Sequence, residues 1–117
     1  MEYTYEKLVD AAAMTGTSVV TSEVFELANA KLWSYQITWT KSSGTLAGSY
    51  KVQVSNNPAA ADDITDWADL SGATGSVTDA SATAMVSFED APYKFARVVY
   101  TNATGVGVLN VHAISKG

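Results

Sequence analysis

GSYKVQVSNNPAAADDITDWADL, residues 48–70, decides the fold class. Tyr50, Val52 and Val54 fall on one face while Lys51, Gln53 and Ser55 fall on the other, which is the alternation of a half-buried strand. Asn56, Asn57 and Pro58 end it, because asparagine tolerates left-handed backbone and proline cannot donate a ladder hydrogen bond. A further strand carrying Trp67 is predicted over residues 62–70. A strand, a turn with a mechanism and a Trp-bearing strand read as the edge of a β-sandwich, and none of the three carries a catalytic signature.

The flanking segments keep the same rhythm, short strand-like runs separated by Gly, Ser, Thr, Asn and Ala, as in all-β sandwiches and barrels. Residues 17–21 and 23–28 are short strands. Residues 31–41 form the strongest one, with Trp33, Tyr35, Ile37 and Trp39 on a face that should be core, opposite Ser34, Gln36, Thr38 and Thr40. SSGTLAGS, residues 42–49, reads as a loop that returns the chain into the Tyr50 strand, so the strands on either side should form a hairpin. SGATGSVTDASA, residues 71–82, is small and polar and reads as a surface excursion. Strands over 83–88, 93–102 and 106–115 complete the set, the last two joined by a turn at 102–105 and paired antiparallel. Residues 1–14 alternate only loosely and are expected to form an extended arm or a short helix. The predicted fold is all-β: one antiparallel, jelly-roll-like β-sandwich domain over residues 1–117, with about eight strands and an N-terminal arm.

Composition narrows the function classes. A chain of 117 residues is long enough for one core, and with 47% hydrophobic against 16% charged residues it is not a disordered chain. Low surface charge favours assembly. The net charge of −5, with Arg97 as the only arginine, argues against nucleic acid, since arginine is the preferred bidentate phosphate ligand. Without cysteine there is neither a disulfide nor a thiolate zinc site, so stability must come from packing. No apolar run approaches the roughly 18 residues of a membrane span, and MEYTYEKLVD lacks the basic start and apolar stretch of a signal peptide, so no membrane partner is expected and synthesis in the cytoplasm is.

Candidate chemistry is sparse. His112 is the only histidine, which excludes a histidine-based triad or a multi-histidine metal site, and it reads as an ordinary strand residue. Asp62, Asp63, Asp66 and Asp69 could supply oxygen ligands to calcium, but their spacing fits no EF-hand loop, and turn and solvation roles are the stronger reading. Asn102, Ala103 and Thr104 match the glycosylation pattern and read more simply as a turn. No glycine-rich phosphate loop is present and no cofactor is expected. Trp33 and Trp39 are assigned to the core, leaving Trp67 and Tyr93 as aromatics that could stack on a sugar. Residues 93–102 carry bulky groups on both faces, which makes that strand central and leaves Arg97 needing a partner, expected to be Asp90 or Glu89.

Three blocks, SYQITW…GTLAGSYKVQVSNN…DWADL, PYKFARVVYT and NATGVGVLNVHAISKG, together resemble small virion-associated proteins of tailed bacteriophages. The match covers residues 33–117, and the arginine-bearing penultimate strand and Lys-Gly ending set it apart from discoidin-like carbohydrate-binding sandwiches, which share the SN…W pairing. The resemblance implies a non-enzymatic structural or accessory protein of the particle (head decoration, tail or fibre-associated), made in the host cytoplasm and resident on the virion. Its partners would be copies of itself or other virion proteins, with residues 1–14, including Tyr3 and Tyr5, packing on an adjacent subunit. The alternative is a carbohydrate-binding module with a glycan as partner. An accessible Trp67 or Tyr93 would favour that alternative, and buried tryptophans with an exposed apolar strip would favour assembly.

Overall fold

The structure, a computed structural model, describes residues 3–27, 30–56, 66–89 and 93–116. Among these residues there are seven strands, β1 (Tyr3–Met14), β2 (Val19–Thr21), β3 (Phe25–Glu26), β4 (Leu32–Ser55), β5 (Ala68–Val77), β6 (Ala82–Glu89) and β7 (Phe95–Lys116). Every pairing is antiparallel. The all-β antiparallel sandwich expected from the alternation is the fold observed.

Two strands of unusual length organise it. β4 and β7 pair with each other from Leu32↔Lys116 to Ser55↔Phe95, interrupted by register shifts between Lys41 and Gly48. At that interruption both strands bend and change layer, as strands at sandwich corners do through bulges. The first half of β4 lies between β6 and the second half of β7, whose other side carries β1; this is layer A. The second half of β4 lies between β5 and the first half of β7, whose other side carries β2 and β3; this is layer B. The hairpin expected around residues 42–49 is therefore absent, and so is the antiparallel pair expected around 102–105. In each case the two predicted strands are one continuous bent strand. Glycine-rich composition marks a tight turn and a bulged corner alike, and only the partner strand distinguishes them.

The corner is held by particular groups. Gly105 has a φ of +78°, and a Cβ there would lie 2.6 Å from the Thr45 carbonyl oxygen and 2.7 Å from the Leu46 backbone. The Leu46 amide donates to Asp79 Oδ1 at 2.8 Å, and Lys41 Nζ pairs with the same oxygen at 2.8 Å, so one carboxylate ties both sides of the β4 bend. Buried Asn102 accepts from Tyr100 Oη at 2.7 Å and donates from Nδ2 to the Gly16 carbonyl at 2.9 Å. Its amide belongs to the interior, which removes it as an acceptor for a glycan in the folded chain.

The core lies between the layers. Trp33, Tyr35, Ile37 and Trp39 from layer A are buried, as are Val52, Val54, Val98 and Tyr100 from layer B. Rings meet across the gap, Phe25 edge-on to Tyr35 at 6.2 Å and Trp39 against Tyr50 at 6.4 Å. Residues 71–77 are part of β5 rather than a surface excursion, with Ala73 and Val77 buried. Their small side chains suit this place: Gly75 pairs with Tyr50, and a Cβ at Gly75 would lie 2.1 Å from the Tyr50 hydroxyl, so the neighbour's ring supplies the missing bulk. The N-terminal arm is extended, but from Tyr3 to Met14 it lies along β7 and buries Leu8, Val9 and Met14. It is the edge strand of its own sandwich and is neither a helix nor a segment reaching away. Its loose alternation reflects two bulges, after Lys7 and after Val9, with Ala11 at a φ of 52°.

Candidate interaction surfaces

The outer face of layer A collects apolar side chains in register. One row reads Tyr3, Lys116, Leu32, Glu89 across β1, β7, β4 and β6, and the next reads Tyr5, Ile114, Ser34, Ser87. Lys7, His112, Gln36 and Met85 follow. Tyr3 is 63% exposed, Met85 60%, Tyr5 59%, Leu32 46% and Ile114 36%. Two depressions of about 410 and 240 Å³ meet at Ser34 and Ile114, so the face is an apolar-rimmed trough floored by small polar groups. The tyrosines are positioned: Tyr5 Oη lies 2.6 Å from His112 Nδ1, and Lys116 Nζ sits 5.4 Å from the Tyr3 ring centre. Exposed apolar side chains gathered on one face, unlike scattered ones, call for an explanation such as a partner, a ligand groove or a membrane contact.

The outer face of layer B is mostly polar, although Val19 stands 59% exposed on it beside Thr101. Gln53 pairs with Arg97 on one side and Asp69 on the other. Arg97 Nε donates to Gln53 Oε1 at 2.9 Å, and Gln53 Nε2 donates to Asp69 Oδ1 at 2.9 Å. Lys51 Nζ lies 3.3 Å from the same carboxylate oxygen. The Arg97 guanidinium sits over the half-buried Trp67 ring, 4.4 Å from its centre, a cation–π arrangement. Hydrogen bonding from Gln53, then from Lys51, holds the Asp69 carboxyl below the usual aspartate range, and partial desolvation lowers the Arg97 pKa. Beside this network a depression of about 340 Å³ is lined by Ser49, Lys51, Thr74, Ser76 and Thr101 together with Tyr50 and Val99.

Arg97 lies in the central strand, but its partners among the described residues are the Gln53 amide and the Trp67 ring. Glu89 lies in layer A opposite Leu32, and Asp90 is outside the described residues. Cross-strand register brings Gln53 and Arg97 together from 44 residues apart, a relation that sequence proximity to Glu89 and Asp90 could not reveal. Of the four aspartates, Asp62 and Asp63 lie outside the described residues, while Asp69 is engaged by Gln53 and Lys51. No cluster of three or more metal-ligating side chains occurs among the described residues. Leu32, Met85 and Ile114 are surface residues that an apolar side chain alone would assign to the core. Each stands on the polar side of its strand's alternation, and an apolar residue at such a position is the one signal that could have found them.

The jelly-roll-like sandwich has counterparts among solved structures. The chain is similar to the PBSX exported protein XepA (TM-score 0.66, 14% identity), with 97% of this chain covering 37% of that one. It is similar to the SPBc2 prophage-derived protein YomS (TM-score 0.55, 14% identity), with 97% covering 92%. A chain of infectious bursal disease virus, Gt strain, matches at a TM-score of 0.50 and 10% identity, over 97% of this chain and 31% of that one. The chain thus spans about a third of the PBSX and bursal-disease-virus chains and nearly all of the SPBc2 one. No protein-family model matches, and no curated protein matches in sequence. No helix among the described residues is long and apolar enough to cross a membrane.

Proposed function

We propose that the chain is a non-enzymatic structural protein of a bacteriophage particle, which associates with copies of itself or coats a lattice of another virion protein. The observation that carries this reading is the trough on layer A, where Tyr3, Tyr5, Leu32, Met85 and Ile114 stand exposed together. Burying such side chains contributes about 25 cal/mol per Å² of apolar surface removed from water, a gain available only from a partner. Trp33 and Trp39 are buried, which favours assembly over sugar stacking, and the fold is one that phage-derived proteins also use. Light scattering across a concentration series tests the reading. A discrete oligomer is expected for the natural chain and a monomer for Met85→Lys; a strict monomer throughout rejects self-association.

A second reading, a carbohydrate-binding module for host-surface recognition, draws on the half-exposed Trp67 beside Arg97, Gln53 and Asp69 on layer B. An indole edged by hydrogen-bonding groups can stack on a sugar ring. The guanidinium already covers one side of that indole, which places this reading second. Binding on a glycan array that Trp67→Ala abolishes would promote it, and an array without binding rejects it.

A further inference from the structure

Building on self-association as proposed above, we infer that the layer A trough is an isologous interface, closed by a second copy about a two-fold axis that runs along the first half of β4. The inference comes from how charge is distributed around the apolar strip. In the row Tyr3, Lys116, Leu32, Glu89, the lysine and the glutamate stand on either side of Leu32, on strands about 9–10 Å apart across two strand spacings, with the ammonium over the Tyr3 ring. Both line the same depression. A two-fold axis along β4 keeps each row opposite itself and exchanges its two sides. Lys116 then faces Glu89 of the second copy and Glu89 faces the second Lys116, so each face is electrostatically complementary to itself, as an isologous contact requires.

The uncharged groups agree with this axis. Leu32 meets its own counterpart on the axis, in the end row of the face between the two charges. Exposed Gln36 also meets its counterpart, and a primary amide, with one acceptor and two donors, is self-complementary. Met85 falls opposite His112, and Ile114 opposite Ser87. Tyr3 and Tyr5, one strand beyond Lys116 and Ile114, extend over the second copy's β6, which among the described residues pairs with β4 alone. They would cover an edge that otherwise presents unpaired backbone groups. A face four strands wide and about ten residues long spans on the order of 600 Å², the low end for a specific interface, so the dimer should dissociate on dilution.

Charge exchange tests the axis. Sedimentation velocity over a concentration series is measured for the natural chain, Lys116→Glu, Glu89→Lys and the double variant, with circular dichroism as the check of folding. The expected result is a closed dimer whose dissociation constant rises about tenfold or more in each single variant, where two like-charged pairs oppose each other, and returns toward the natural value in the double variant. Leu32→Ser provides a second probe independent of charge: one substitution alters both sides of the axis and should weaken the dimer at least as much. An oligomer that ignores the single substitutions, is not restored in the double variant, or grows beyond a dimer overturns the two-fold pairing and leaves self-association standing. A natural chain that stays monomeric overturns both.

Discussion

Buried tyrosine 35 illustrates a side chain whose class was legible and whose condition was not. Its place on the core face followed from alternation with Trp33, Ile37 and Trp39, and it is fully buried. Its hydroxyl, however, has no hydrogen-bond partner among the described residues, and burial, with Glu6 adding to it, pushes its pKa far above the ordinary tyrosine value. An unsatisfied buried hydroxyl costs about 1–3 kcal/mol, so Tyr35→Phe is expected to raise unfolding stability by about 1 kcal/mol in urea titrations. A loss of that size would reveal a partner for the hydroxyl. Asp79 belongs to a stretch whose composition is merely small and polar, yet it clamps the β4 bend. Its pKa is lowered by Lys41 first and the Leu46 amide second, and Asp69 is lowered by Gln53 and Lys51. A carboxyl depressed in the folded state stabilises above its ordinary value of 3.8 and loses that contribution as pH falls through the lowered one. The urea midpoint should therefore fall on acidification below about pH 4, and Asp79→Asn should flatten that fall; an unchanged pH profile would remove Asp79 as its cause. Arg97 belongs to the same lesson. Its need for a partner followed from its place in a bulky strand, and the partner's identity depended on cross-strand register.

The long bent strands carry the most consequential difference between expectation and structure. Alternation located residues 32–41 and 50–55 correctly as strand, because side-chain facing is a local property with period two. Whether SSGTLAGS reverses the chain or carries it round a corner depends on what lies beside it, and beside it lies the matching bend of β7. Gly105→Ala is expected to destabilise by about 3 kcal/mol, since it combines a left-handed φ with a clash against the Leu46 backbone. Chemical denaturation measures this directly, and a loss under about 1 kcal/mol would mean the corner can re-form with a side chain present. β1 changes the meaning of a truncation. As a free arm, residues 1–14 could be removed with the sandwich intact. As an edge strand, removal strips Leu8, Val9 and Met14 from the core, at about 2 kcal/mol each, and uncovers β7. Against total stabilities of about 5–15 kcal/mol, the deletion should leave little cooperative structure by circular dichroism. A truncated chain that melts like the natural one would show β1 to be dispensable to the core.

Because β4 and β7 run through both layers, neither layer is complete without the other, and the molecule should unfold as one unit. A single calorimetric transition with equal van't Hoff and calorimetric enthalpies is expected, and two resolved transitions would contradict the shared-strand architecture. The same sharing fixes the two outer faces, one apolar-rimmed and one mostly polar. Composition and alternation alone determined that the chain is all-β and layered and has no thiol chemistry, with Trp33, Tyr35, Ile37, Trp39, Val52 and Val54 inside. These are properties of single residues and near neighbours. The tertiary structure alone decided that two pairs of predicted strands are continuous, that the N-terminal segment is an edge strand, that Arg97 answers to Gln53 and Trp67, and that Tyr3, Leu32, Met85 and Ile114 share a face. Each depends on which strands lie side by side and in what register. Residues from four separate strands have to be brought into rows before their common surface exists, and no local period in the chain encodes those rows.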